Sequence, residues 1–257
     1  MTRKNDPLEK LRALLVELNL TTVARQLAEL LAQAEKGHPA YSEFLAGLIE
    51  AELDARRSRK IQRRVRWSKL GAEIPLDGFD WSARPQLSPQ VVKELQTCRF
   101  IDEHRNVILV GKPSTGKTSV AKALGHAACR RGLSVYYGTL SQILETLHAS
   151  RADATYRKAF RRVTLPDLLI LDDCGFDTGL GREAANEFFR LVCARHRARS
   201  TVIVTNLSFR HWDEFLPSPA QAVALVDRLV DQATILRFTG KSFRGPQDVH
   251  GAPLDGE

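Results

Sequence analysis

Asn106-Val107-Ile108-Leu109-Val110-Gly111-Lys112-Pro113-Ser114-Thr115-Gly116-Lys117-Thr118 is the stretch from which the rest of the chain can be read. Its short, continuous apolar run predicts a strand buried on both faces. The following Ser119–Arg131 stretch, SVAKALGHAACRR, predicts a helix. Between them stands the pattern G-x-x-x-x-G-K-T. Its glycines let the backbone turn several N–H groups inward, and the helix N-terminus beneath adds partial positive charge. A loop of this kind cradles phosphates. Lys117 has the reach for the β- and γ-phosphates, and the Thr118 hydroxyl is a ligand for Mg²⁺. The expected nucleotide set is Gly111, Lys112, Pro113, Ser114, Thr115, Gly116, Lys117 and Thr118, with ATP and Mg²⁺ as cofactors.

Outward from this loop, four more apolar runs predict strands: Leu133–Tyr137, Leu168–Leu171, Val202–Val204 and Ile235–Phe238. Helical stretches separate them at about 117–131, 140–161, 182–198 and 208–231, the last with a proline break at 217–219. Strand and helix in alternation predict an α/β domain with a five-stranded parallel sheet. A phosphate loop needs a carboxylate at the end of a neighbouring strand, where open sheets bind ligands. Leu168-Leu169-Ile170-Leu171-Asp172-Asp173 supplies it. Asp172 is expected to hold Mg²⁺ with Thr118, and Asp173 to orient or deprotonate the attacking water. Asn206, after the strand Thr201–Thr205, is placed to position that water. Arg228, in a late helix, and Arg244, after the last strand, are candidates to face a nucleotide in their own or a neighbouring subunit.

Toward the N-terminus the character changes. Leu8, Leu11, Leu15 and Leu18 recur at helical spacing, as do Val23, Leu27, Leu30 and Leu31. Gly37-His38-Pro39 ends the second helix, and a third begins near Ala40 and runs toward a basic segment. The expected organisation is a small all-helical domain at 1–70, a Pro/Gly-rich linker or docking segment at 71–90, an ATPase domain at 91–245 and a tail at 246–257. The net charge is +8, and the distribution matters more than the total. Residues 1–54 carry net −3, whereas Arg56, Arg57, Arg59, Lys60, Arg63, Arg64, Arg66 and Lys69 stand in a stretch without a single acid. Arg56, Arg59, Lys60 and Arg63 fall at i, i+3, i+4 and i+7, one stripe of a helix. A stripe this dense meets phosphate or is a solvated charged face; Arg56, Arg57, Arg59, Lys60, Arg63 and Arg64 are the candidate DNA contacts. Phosphate contacts carry no base information, so little sequence specificity is expected.

Composition removes several classes. Hydrophobic residues at 43% and charged residues at 26% are ordinary for a globular protein. No apolar run reaches the ~18 residues of a membrane span. Cys98, Cys129, Cys174 and Cys193 have neither metal-site nor disulfide-framework spacing and read as reduced thiols of a cytoplasmic protein.

The order of these features resembles one family. A leucine-rich helical N-terminus, a basic segment and Phe79-Asp80-Trp81 precede GKPSTGKT, LLILDDCG, STVIVTNLSFRHW, DRLVD and GKSFR. This is similar to the IstB-like ATPases, helpers of insertion-sequence transposition and cousins of the DnaC helicase loaders within the AAA+ superfamily. The resemblance covers about residues 8–245. It implies an ATPase that, when ATP-bound, oligomerises on duplex DNA, remodels it and recruits a cognate transposase. It also implies that Asn206 is the first sensor, Arg228 the finger acting on a neighbouring subunit, and Arg244 a second sensor. Lys112 and Ser114 depart from the proline and glycine usual in the loop, and Asp173 replaces the usual glutamate; Glu183 is the next candidate base. A helicase loader, a small-molecule kinase and a non-hydrolysing interaction protein are the rival readings. The kinase would need an acceptor pocket and a lid.

Overall fold

The computed structural model describes residues 6–175 and 180–239. The chain divides into two compact units, Met1–Arg63 and Arg64–Glu257.

The first unit is built from α1 (Pro7–Glu17), α2 (Thr21–Gly37) and most of α3 (Tyr41–Ser68). Asp6 caps α1 by accepting from the Leu8 N–H, with Pro7 at the first helical position. His38, not Gly37, takes the left-handed position that ends α2 (φ 45°). The basic segment is helical through Ser68, as a continuation of α3, and Lys69 leaves the helix at a left-handed φ of 63°. Few side chains are buried: Thr22, Val23, Ala24 and Leu27 of α2, and Glu52 of α3.

Glu52 replaces a cap that α2 lacks. Leu20 offers no side chain to the start of that helix. Instead Glu52 Oε2 accepts the N–H groups of Thr22 at 2.7 Å and Val23 at 3.3 Å. Its other oxygen accepts from Arg56 Nε at 3.1 Å and an Arg59 guanidinium N–H at 2.9 Å. Arg56 also donates to the Asn19 carbonyl at 2.8 Å. Burial pushes the Glu52 carboxyl up, but these four donors outweigh it and hold the group below its usual range. The charge therefore stabilises the folded unit fully above pH about 4.3, the ordinary glutamate value. That stabilisation is lost as pH falls through the lower folded value. Arg56→Gln with Arg59→Gln leaves the buried carboxylate short of donors and should cost about 1–3 kcal/mol, discounted for the partial exposure of both arginines. Helix melting followed by circular dichroism checks it; Lys60→Gln with Arg63→Gln, which lack this role, should leave the melt unchanged.

The second unit follows α3 with α4 (Pro89–Gln96), α5 (Arg99–Asp102), β1 (Val107–Gly111), α6 (Lys117–Arg131), β2 (Val135–Thr139), α7 (Leu140–Ala152), α8 (Tyr156–Thr164), β3 (Leu168–Cys174), α9 (Arg182–Arg195), β4 (Ser200–Thr205), a 3₁₀ turn at Phe209–His211, α10 (Trp212–Phe215), α11 (Pro219–Val230) and β5 (Thr234–Phe238). The strands form one parallel sheet in the order β2-β3-β4-β1-β5. Alternate residues of β1, β2, β3 and β4 feed two cores. Val107, Leu109, Leu168, Ile170, Val202 and Val204 join Val120, Leu124 and Phe100 on one face. Ile108, Leu169, Leu171 and Ile203 join Leu144, Phe188, Trp212 and Leu225 on the other. Helices on both faces explain why the central strands lack polar alternation.

The structure departs from the expected elements in three places. The helical stretch at 140–161 is two helices, because Asp153 Oδ1 accepts from the Thr155 N–H and hydroxyl and Ala154 turns left-handed (φ 59°). β2 starts two residues later than expected, since Leu133 is still engaged in closing α6 through its N–H to the Ala128 carbonyl. Residues 71–88 lack helix and strand, and Pro89 and Gln90, at the end of the expected linker, already begin α4; Leu87 is buried, and Leu76, Phe79 and Trp81 pack against the first core beside the buried Leu70.

Candidate active site

The C-terminal ends of β1, β3 and β4 come out side by side, because β4 pairs with both others. At that edge the loop after β1 leads into α6. Gly111 approaches the β5 backbone so closely that a Cβ would lie 2.1 Å from the Phe238 carbonyl oxygen. Gly116 enters α6 at φ 93°, a left-handed conformation suited to glycine. Ser114 takes the same region at φ 58°, where a side chain costs about 1 kcal/mol. Thr115 braces the loop by donating its hydroxyl to the Lys112 carbonyl at 2.9 Å.

Lys117 lies almost buried, and its Nζ donates to the carbonyls of Gly111 at 2.8 Å and Lys112 at 2.7 Å. Burial lowers its pKa to about 8, with Asp172 and Asp173 pulling the other way. A desolvated cation set among carbonyls above a helix N-terminus is a seat for an anion.

Asp172, 1% exposed, is held from three sides. Its Oδ1 accepts from the Thr118 hydroxyl at 3.2 Å and from the Asp173 N–H at 2.9 Å. Its Oδ2 accepts from the Tyr137 hydroxyl at 2.7 Å. Burial and the adjoining Asp172 charge push the Tyr137 phenol up, so it stays a donor. Thr118 and Asp172 present hard oxygens, the donors that Mg²⁺ takes alongside nucleotide phosphates and water. No cluster of three metal-ligating side chains occurs among the described residues, and a phosphate-bridged Mg²⁺ does not need one.

Asp173 is exposed at a left-handed φ of 51°, where the β3–β4 register breaks. Asn206 is half-buried and directly follows β4, between the strands carrying the loop and the aspartates. Its turn is pinned by Thr205, whose hydroxyl donates to the Cys174 carbonyl at 2.7 Å and accepts from the Leu207 N–H at 3.0 Å.

Other expected residues lie apart from this group. Arg228, on α11, donates to the Ala224 carbonyl at 2.7 Å and lies 5.2 Å over the Phe189 ring of α9. Glu183 is exposed in the first turn of α9, 3.7 Å from His148. It lines a cavity of about 740 Å³ between α7 and α9 that shares no lining residue with the phosphate loop. Loops of that pattern bind phosphate through backbone N–H groups and need no enclosure, so the cavity does not displace this one as the candidate nucleotide site. Arg244 lies outside the described residues. In the basic stripe, Arg56 and Arg59 turn to Glu52 and Arg57 pairs with Asp54 at 3.2 Å. Lys60 and Arg63 are exposed, and Arg64, half-buried, lies beside Gly132.

Two residues of the site escaped the sequence reading. Arg84, 1% exposed, donates from Nε to the Thr115 carbonyl at 3.0 Å and backs the loop. Tyr137 orients Asp172 from the neighbouring strand. Neither belongs to a local motif; the parity of β2 beside β3 is the one signal that puts Tyr137 on the aspartate's side. Tyr137→Phe removes only that hydroxyl. It should raise the Mg²⁺ concentration needed for half-maximal nucleotide binding by about tenfold, from ~1.5 kcal/mol for a hydrogen bond to a charged group. Binding of metal-free nucleotide should stay unchanged; titration of a fluorescent ATP analogue with and without Mg²⁺ measures both.

Comparison with known proteins follows the same lines. The family model described as IstB-like ATP binding protein matches residues 13–250. A Pseudomonas aeruginosa protein named as the ATP-binding protein of insertion sequence IS21 is 31% identical over 237 residues, covering 92% of this chain and 89% of its own. A Mycobacterium tuberculosis protein, Rv3427c, named for ATP binding in an insertion sequence, is 33% identical over 235 residues, 91% and 93% of the two chains. Among solved structures, the DnaC helicase loader superposes with TM-score 0.52 at 19% identity, over 58% of this chain and 87% of that one. AMPPCP-bound DnaA from Aquifex aeolicus gives 0.55 at 20%, over 66% and 51%. These structural likenesses show the AAA+ type of fold.

Proposed function

Because the chain belongs to the IstB-like ATP-binding protein family, we propose that it is an AAA+ ATPase of insertion-sequence transposition. On this reading, ATP drives its oligomerisation on duplex DNA, which it remodels and offers to a transposase. One observation carries the chemistry: the desolvated Lys117 ammonium stands on the same sheet edge as the Thr118–Asp172 pair. Lys117 binds the β- and γ-phosphates in place of its own loop carbonyls. Thr118 and Asp172 would hold Mg²⁺, which would neutralise phosphate charge. Asp173 takes the proton of the attacking water, and Asn206 orients that water. Arg228, engaged within its own subunit with Ala224 and Phe189, swings to the γ-phosphate of a neighbouring copy. ATP then acts as the bridge of the interface, and hydrolysis loosens it.

Full-length relatives named for insertion sequences favour transposition over helicase loading. Among the described residues no helix is long and apolar enough to cross a membrane. Electron microscopy of the protein with duplex DNA tests the assembly step. Rings or filaments with ATP and none with ADP are expected; equal assembly with both nucleotides defeats the switch.

A further inference from the structure

The helix α8, Tyr156-Arg157-Lys158-Ala159-Phe160-Arg161-Arg162-Val163-Thr164, was not part of the expected DNA surface. Its Val163 and Thr164 are buried, and Tyr156 stacks on Phe160 with ring centroids 5.6 Å apart. Arg157, Lys158, Arg161 and Arg162 are all exposed, and none has a carboxylate within ion-pair distance among the described residues. The helix dipole favours Arg161 and Arg162 in the last turn but does not account for Arg157 and Lys158 in the first. The first turn holds two cations and no acid, against the helix dipole. Arg157 with Arg161 and Lys158 with Arg162 are like charges at i, i+4, each pair costing about 0.2–0.5 kcal/mol.

The helix is also held rigidly. Arg195, 2% exposed, donates to the carbonyls of Val163 at 3.3 Å, Thr164 at 2.7 Å and Pro166 at 2.9 Å, which satisfies its C-terminal end. At its side, Tyr136 of β2 gathers two cations on one ring. The Arg162 guanidinium lies 5.7 Å and the Lys69 ammonium 5.3 Å from the ring centre. Lys69 is the last residue of the basic segment after α3, so the fold joins that segment's end to α8.

We propose that α8 and Lys69 form one phosphate-binding surface of the ATPase unit for the backbone of duplex DNA. Cations at i and i+4 stand about 6 Å apart along the helix, in rows suited to successive phosphates. The aromatic rings here are engaged: Tyr136 is buried under the two cations, and Tyr156 and Phe160 stack on each other and pack inward. A surface of charge without free rings fits a duplex backbone and lacks the stacking platform that single strands use. It equally lacks the apolar face that would enter a membrane.

This inference rests on the duplex-binding reading above, and the test separates the two. Duplex affinity is measured against salt for the parent and for Arg157→Gln/Lys158→Gln/Arg161→Gln, both with ATP; Arg162 is kept because it covers Tyr136. Three lost contacts should flatten the log–log salt slope by about 2.7. Glutamine has similar helix propensity, so melting and nucleotide affinity should hold. If the triple variant fails to fold, Arg161→Gln alone should lose about 0.9. Arg157→Lys with Arg161→Lys should keep the parental slope, since phosphate contact needs charge. A parent that binds no duplex at low salt overturns both readings. A parent that binds, with a folded variant of unchanged slope and affinity, overturns this surface alone and leaves DNA to Lys60 and Arg63.

Discussion

Lys117→Ala should weaken ATP binding by about 10²–10⁴-fold while the fold survives. The ammonium would make charge-assisted bonds to two phosphates, each worth about 1.5–3 kcal/mol, against 1.4 kcal/mol per factor of ten. Nothing in the core depends on it: its bonds are to two carbonyls of its own loop. Removing a desolvated charge also spares the folded state a cost, so the melting midpoint should shift little. The same residue sets a pH signature. Burial brings the free-state pKa to about 8, and phosphate would raise it again. Affinity should therefore be full below that value and fall about tenfold per pH unit above it, with proton uptake on binding. Lys117→Ala should be flat over the same range. Calorimetric titration in buffers of different ionisation heat reads both quantities. Undiminished affinity in the variant, or no proton uptake near pH 8 in the parent, would remove Lys117 from the phosphates.

Arg228→Ala should cut hydrolysis by about 10³–10⁵-fold, the measured worth of arginine fingers in other systems, with near-normal ATP binding. The side chain lies on Phe189 and bonds back to Ala224, so its loss opens no cavity. Asp173→Asn should stop hydrolysis in a different way and lengthen the life of ATP-bound complexes. Position 173 has φ 51°, which asparagine tolerates as well as aspartate, so the backbone and its N–H to Asp172 survive. Mixing the two variants is the sharper experiment. A finger acting between subunits predicts restored phosphate release, because some interfaces regain both an intact Asp173 and an intact Arg228. Release that stays dead at every mixing ratio would confine Arg228 to its own subunit.

The site was legible wherever its chemistry lies in consecutive residues. A phosphate loop must run from strand to helix without interruption, so residues 106–118 carry both the fold and the ligand class in one local pattern. The aspartates at the end of Leu168–Leu171 and Asn206 after Thr201–Thr205 were readable because a parallel sheet brings strand ends to one edge. The fate of the cations was not readable. Arg56 and Lys60 look alike in the stripe, yet only Arg56 reaches a buried carboxylate. Which side of α3 meets α2 is a matter of packing, and charge pattern along one helix carries no record of it.

By itself, then, the sequence determined the α/β class, the helical N-terminus and the phosphate loop with its acidic partner, since each depends on residues near one another in the chain. Tertiary structure alone decided that Arg84 braces Thr115, that Tyr137 holds Asp172, that Glu52 caps α2, and that Tyr136 joins Lys69 to Arg162. Each of those contacts spans about twenty-five residues or more of chain. It exists because strand order and helix packing bring distant segments together, and a buried polar group must then find its partner wherever the fold supplies one.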